Sequence, residues 1–191
     1  MHKGRIEAFS DGVIAIIITI MVLEIKVPHG HDLAALAPLL PVFLSYVLSF
    51  TYVGIYWNNH HHMFQAVKKV DGGVLWANLF LLFCLSLLPF STGFMGENEF
   101  AEIPVALYAF NLLMCAISYT ILVIVLTKLH GKDSDFARAI SGDVKGKISL
   151  VAYIAAIPLV FVSPIISSVL LLIVALIWLV PDRRFAKIVG Q

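Results

Sequence analysis

Six apolar runs govern what this chain can fold into. They lie near residues 6–25, 34–58, 73–95, 103–127, 148–162 and 165–180, and a helix needs roughly 20 apolar residues to cross a bilayer. Such runs predict an all-α integral membrane protein with six transmembrane helices, because a helix satisfies its own backbone in hydrocarbon. The last two runs need a separate argument. Residues 148–180 hold no charge and are too long for one ordinary span, while Ser163-Pro164 interrupts them near the middle and basic residues flank both ends. That pattern predicts a helical hairpin with two short arms. With 60% hydrophobic against 13% charged residues and a mean hydropathy of +0.95, the chain lacks the polar surface a soluble domain requires.

Charge placement is more informative than the net charge of +1. If the N-terminus is cytoplasmic, the inside segments hold Lys3, Arg5, Lys68, Lys69, Lys128, Lys132, Arg138, Lys145, Lys147, Arg183, Arg184 and Lys187, and the outside segments hold only Lys26. That asymmetry predicts a multi-pass protein of the cell membrane with both termini cytoplasmic. Glu97, Glu99 and Glu102 then gather outside, either as a plain solvated loop or as a source of local cation enrichment. Lys3 and Arg5 before an apolar run look like the start of a signal peptide. Glu24-Ile25-Lys26-Val27-Pro28 offers no small-residue cleavage site, so the segment reads as a retained helix.

Several function classes find no support. No basic stripe stands on a polar face, so nucleic acid is not expected as a partner. Cys84 and Cys115 fall inside apolar runs, where cysteine behaves as a small hydrophobe, and no disulfide, metal centre or other cofactor is implied. Neither a nucleophile elbow nor a zinc-binding helix is present, so the chain does not read as an enzyme. His60-His61-His62 points to different helix faces, unlike the pairs four apart that bind zinc. Thr51-Tyr52-Val53-Gly54-Ile55-Tyr56 is similar to a potassium-channel filter string, but it continues an apolar run where a filter needs a re-entrant loop. Gly54 there reads as a site of close helix packing.

The charged motif Arg5-Ile6-Glu7-Ala8-Phe9-Ser10-Asp11 leads directly into the first apolar run, and ionisable groups there are costly enough to suggest function. Arg5, three residues, Phe9-Ser10-Asp11 and an apolar helix ending in Leu23-Glu24-Ile25-Lys26-Val27-Pro28 resemble the first helix of the transmembrane protein 175 family of lysosomal and prokaryotic potassium channels. Trp57-Asn58-Asn59-His60-His61-His62 and Leu85-Ser86-Leu87-Leu88-Pro89-Phe90 look like the family's second and third helices. The resemblance implies one six-helix channel unit over residues 1–191, as in prokaryotic members; animal members carry two. It also implies a homotetramer in the lipid bilayer whose four first helices surround a central pore. Potassium, and less well other monovalent cations, would pass passively down their gradients.

At about 100° per residue, Phe9, Val13, Ile16, Ile20 and Leu23 form one stripe of the first helix, and Ala8, Gly12, Ala15 and Thr19 form a small-residue stripe beside it. Such stripes usually just pack against neighbours or lipid, and small ones let helices approach closely. The resemblance implies more: Ile16, Ile20 and Leu23 form the pore constriction, selecting modestly for potassium by partial dehydration and width. It also implies that Arg5, Phe9, Ser10 and Asp11 join a helix-bracing polar network. Arg5 and Asp11 are about 240° apart and cannot pair on one face, so each needs a partner elsewhere. Candidates are Trp57, His60, His61, His62, Trp76 and Asn78. Thr19 is expected to bond back to the Ala15 carbonyl, or across to a neighbouring helix, supporting the pore helix. The alternative class is a proton-coupled secondary transporter or proton leak pathway using Asp11 and Glu7, whose like charges lie one turn apart. Pro38, Pro41, Pro89 and Pro158 permit the broken helices that a transporter would need, but they do not occupy matching positions in two halves.

Overall fold

The computed structural model describes residues 3–140 and 143–179. Its helices are α1 (Lys3–Leu23), α2 (Leu40–Ala66), α3 (Gly72–Ser86), α4 (Leu88–Glu97), α5 (Glu102–His130), α6 (Asp135–Ile140), α7 (Val144–Val160) and α8 (Pro164–Leu179), with a short 3-10 helix, Leu33–Leu39, leading into α2. Among the described residues, four helical segments are long and apolar enough to cross a membrane: Lys3–Leu23, Leu33–Ala66, Gly72–Glu97 and Glu102–His130. Arms α7 and α8, of 17 and 16 residues, form the expected hairpin about a turn at Phe161–Ser163. Arg183, Arg184 and Lys187, and the last residue of the sixth predicted run, lie outside the described residues.

Local chemistry sets the boundaries. Asp71 accepts from the Val74 amide at 2.9 Å to start α3, and Asp143 accepts from the Gly146 amide at 3.0 Å to start α7, each satisfying a donor that the first helical turn leaves free. Gly131, at φ +94, ends α5 in a conformation that costs other residues. Two boundaries depart from the sequence reading. The second span does not stop near residue 58 but continues helically to Ala66, because the polar run Asn58–His62 alters hydropathy without breaking a helix. The third is two helices, not one: Leu87 interrupts it and Pro89, in the first turn of α4, restarts it where a missing N–H costs nothing.

Helix α5 is central, packed on α3, α4, α7 and α8, while α1 rests on α2, α3 and α4. The short hairpin is tied in by hydroxyls: Ser167 donates to the Ala156 carbonyl at 2.9 Å, joining its arms, and Tyr52 of α2 donates to the Leu171 carbonyl at 2.6 Å. His130 closes one end of the bundle. Its Nε2 accepts from the Lys68 and Lys69 amides at 3.1 and 3.4 Å while Nδ1 donates to the Leu126 carbonyl at 2.9 Å, so the α2–α3 loop is fastened to the end of α5.

Close packing of α2 on α4 rests on Gly96, not on the expected Gly54. A Cβ at Gly54 would meet nothing within 4 Å, whereas one at Gly96 would lie 2.5 Å from Ser45 Oγ and 2.7 Å from Val42 Cα. The Val42 contact is backbone, so the helices would have to separate. Gly96→Ala should therefore destabilise the fold by about 1–3 kcal/mol, as overpacking does, while Gly54→Ala should be neutral or slightly stabilising. Thermal unfolding of the two purified variants in detergent checks the contrast.

Candidate pore helix and its braces

Helix α1 turns one face inward: Ile6, Ser10, Ile14, Ile17 and Met21 are buried, at the spacing of a single helical stripe. Both stripes read from the sequence lie elsewhere on the helix. Phe9, Ile16, Ile20 and Leu23 are 55, 58, 42 and 76% exposed, and Ala8, Gly12, Ala15 and Thr19 are exposed beside them. Ile16 and Ile20 border an open groove of about 600 Å³ between α1 and α4, which also exposes Glu24, Phe90, Phe94 and Glu97. At the far end of that groove Lys26 donates to Glu97 at 2.7 Å. This hydrogen bond, then the charge of Glu97, raises the ammonium's pKa above its ordinary value. Of Glu97, Glu99 and Glu102, Glu97 is thus ion-paired.

The inward face is braced by a buried polar chain. Asn78 of α3 donates through Nδ2 to Ser10 Oγ at 2.9 Å, and its Oδ1 lies 2.8 Å from His60 Nε2 on α2. With the amide nitrogen committed to Ser10, the oxygen faces His60, which must donate from Nε2. His60 also stacks on Phe64 with ring centroids 4.5 Å apart. Asp11, exposed, accepts from Trp57 Nε1 at 2.9 Å. Lys3 donates to the Phe64 carbonyl at 3.0 Å, pinning the start of α1 to the end of α2.

Of the four residues expected in a bracing network, Ser10 and Asp11 are brought to partners on α2 and α3. Arg5 and Phe9 point outward, and Arg5 has no hydrogen-bond or ion-pair partner among the described residues. His60, of the three consecutive histidines, is the one in the chain; His61 and His62 contact Gln65 at 2.9 and 3.4 Å. Trp76 is 76% exposed and takes no part. Thr19 departs from its expected bond: its hydroxyl donates to the Ile16 carbonyl at 2.9 Å, not to Ala15, because threonine reaches either the third or fourth preceding carbonyl according to its χ1 rotamer.

A second buried set was not singled out from sequence. Thr92 of α4 donates to Ser49 Oγ of α2 at 2.6 Å, Ser49 Oγ lies 2.9 Å from the Tyr108 hydroxyl of α5, and Thr92 Oγ1 approaches Met21 Sδ of α1 at 4.0 Å. Beside it, Asn111 of α5 donates to Ser91 Oγ at 3.0 Å. The signal available was lone polar residues in charge-free runs.

Asn78→Leu should strand the buried Ser10 and His60 groups and cost about 2–4 kcal/mol, since a buried polar atom without a partner loses its full desolvation energy. Asp11→Ala leaves only a surface indole unpaired and should cost nearer 1 kcal/mol. Yield of assembled protein and its melting temperature rank the two; a larger loss for Asp11→Ala would contradict this ordering.

The sequence profile of a family described as endosomal/lysosomal potassium channel TMEM175 matches residues 5–89, which hold most of α1 and its Ser10–Asn78–His60 and Asp11–Trp57 contacts. A potassium channel of Chryseobacterium sp. (strain P1-3) is 56% identical over 187 residues, 98% of this chain and 97% of its own length. The endosomal/lysosomal proton channel TMEM175 of Homo sapiens is 35% identical over 116 residues, 54% of this chain and 23% of its own. The crystal structure of a lysosomal potassium-selective channel TMEM175 homolog from Chamaesiphon minutus matches with a TM-score of 0.78 at 31% identity, over 92% of this chain and 95% of that one. The chain belongs to the TMEM175 family.

Proposed function

We propose that this chain is a potassium-permeable channel subunit: six spans, four copies around an axis, α1 lining the pore and Ile16, Ile20 and Leu23 forming a dry constriction. The observation that carries this reading is the orientation of α1. Hydrogen bonds hold one face to the bundle, and its bulky stripe is left uncovered by its own chain. A ring of such side chains offers no oxygen to replace an ion's hydration shell, so it discriminates by pore width and by the cost of partial dehydration, favouring potassium over sodium modestly. Flux is passive and involves no enzymatic step.

Which ends of the helices meet supports an orientation in the cell membrane. Lys3 contacts the end of α2, and His130 fastens Lys68 and Lys69 to the end of α5, so these basic residues share one end of the bundle, while Lys26 pairs with Glu97 at the other. The basic end is cytoplasmic by the positive-inside rule. A second reading is proton passage through Glu7 and Asp11, favoured by the proton-channel name of the human relative.

Purified protein in planar bilayers tests both. Unitary current steps carried by potassium are expected, with Ile16→Asn bringing the potassium and sodium reversal potentials together by roughly a two-fold or larger fall in permeability ratio, because the ring is no longer dry. If Ile16→Asn, Ile20→Asn and Leu23→Asn all leave permeation unchanged, α1 does not line the pore. Absence of steps together with a fixed proton-to-cation stoichiometry in liposomes would favour the carrier class instead.

A further inference from the structure

We propose that Thr92 is a positioning residue for the constriction: it holds the outer half of α1 at the rotation that turns Ile16, Ile20 and Leu23 away from the bundle. The inference rests on the pore reading above. Ser10 and Met21 lie on the same face of α1, eleven residues and thus about 16 Å apart. Between them Ile14 and Ile17 are buried, with Val13 and Ile18 half-buried against the core, and apolar contact is non-directional. On this inward face, rotation of the helix is therefore set at two points, in addition to the Lys3 and Asp11 bonds to α2 near its start. Asn78 supplies the first through Ser10.

The second is Met21, which is buried against Thr92. Thr92 is itself fixed, since its hydroxyl donates to Ser49, and Ser49 meets Tyr108 on the central helix. Across the break at Leu87, these hydroxyls and the Asn111–Ser91 bond join the close Gly96–Val42 packing in placing α4. The position of α5 is thus carried through α2 and α4 to α1. The leverage is large: turning a helix by about 20° moves a side-chain tip about 5 Å from its axis by nearly 2 Å. A pore that selects by width responds to such a movement.

The test measures unitary conductance and potassium-to-sodium permeability ratio for Thr92→Val, Thr92→Ser and Ser49→Ala, with Ile16→Asn alongside. Thr92→Val keeps the shape and removes the hydroxyl; it should shift the ratio about three-fold, Ser49→Ala should shift it in the same direction, and Thr92→Ser should restore the wild-type value. A merely structural role would lower melting temperature and leave the ratio alone. Wild-type ratios in assembled Thr92→Val and Ser49→Ala, with an altered Ile16→Asn, overturn this inference and spare the pore reading. An unaltered Ile16→Asn, Ile20→Asn and Leu23→Asn overturn the pore reading itself. Where Thr92→Val does not assemble, Ser49→Ala decides, and failure of both to assemble makes the network a folding element and overturns the proposal.

Discussion

Inside a bilayer, lipid tails are as apolar as leucine, so burial gives helices no reason to prefer one neighbour or one rotation over another. The few hydrogen bonds that cross between helices must supply that choice. In this chain the Asn78–Ser10 bond is the one on which most depends. It selects the inward face of α1, and thereby which residues remain outside. Half a turn of α1 would instead bring the small stripe, Ala8, Gly12, Ala15 and Thr19, to the bundle. Such bonds are individually modest, about 1 kcal/mol between membrane helices. On α1 they fall in the first half, where Lys3 and Asp11 bond to α2 and Ser10 to α3, while Met21 near its other end meets Thr92 at 4.0 Å.

The helices themselves were largely legible in the sequence, because hydropathy reports what the bilayer demands of each segment. Helix α5 and the α7–α8 hairpin fall where charge-free runs and Ser163-Pro164 put them. What hydropathy reports, however, is the edge of the apolar zone and not the end of a helix. The second helix therefore runs on through the histidines to Ala66. The break between α3 and α4 had its signal in Pro89, but a proline in the first turn of a new helix and one inside a kinked helix look alike in one dimension.

The site was legible in residue types and not in pairings. Trp57, His60 and Asn78 are all candidate partners by composition, yet which of them reaches Ser10 or Asp11 depends on the rotation of three helices, which a single sequence does not fix. The Thr92–Ser49–Tyr108 set was harder still. Hydroxyls in membrane helices mostly bond their own backbone, as Thr51, Thr120 and Thr127 do with carbonyls four residues earlier. Against that background nothing in the letters distinguishes Thr92. Only proximity to Ser49 and Met21 does.

Arg5 carries the argument one step further. By helical geometry it lies on the same line of α1 as Ile16 and Leu23, at the seam between the bulky and small stripes. It is exposed on the single chain, and a guanidinium facing hydrocarbon would be costly. It therefore needs either water or a partner outside this chain's described residues. A lipid-facing α1 provides neither except by reaching to the membrane edge. A pore-lining α1 would supply that water. On that reading the charged motif and the apolar stripe are two ends of one surface, the first tolerating water and the second excluding it, and the boundary between them falls where Gly12 and Val13 begin the uninterrupted apolar stretch of α1.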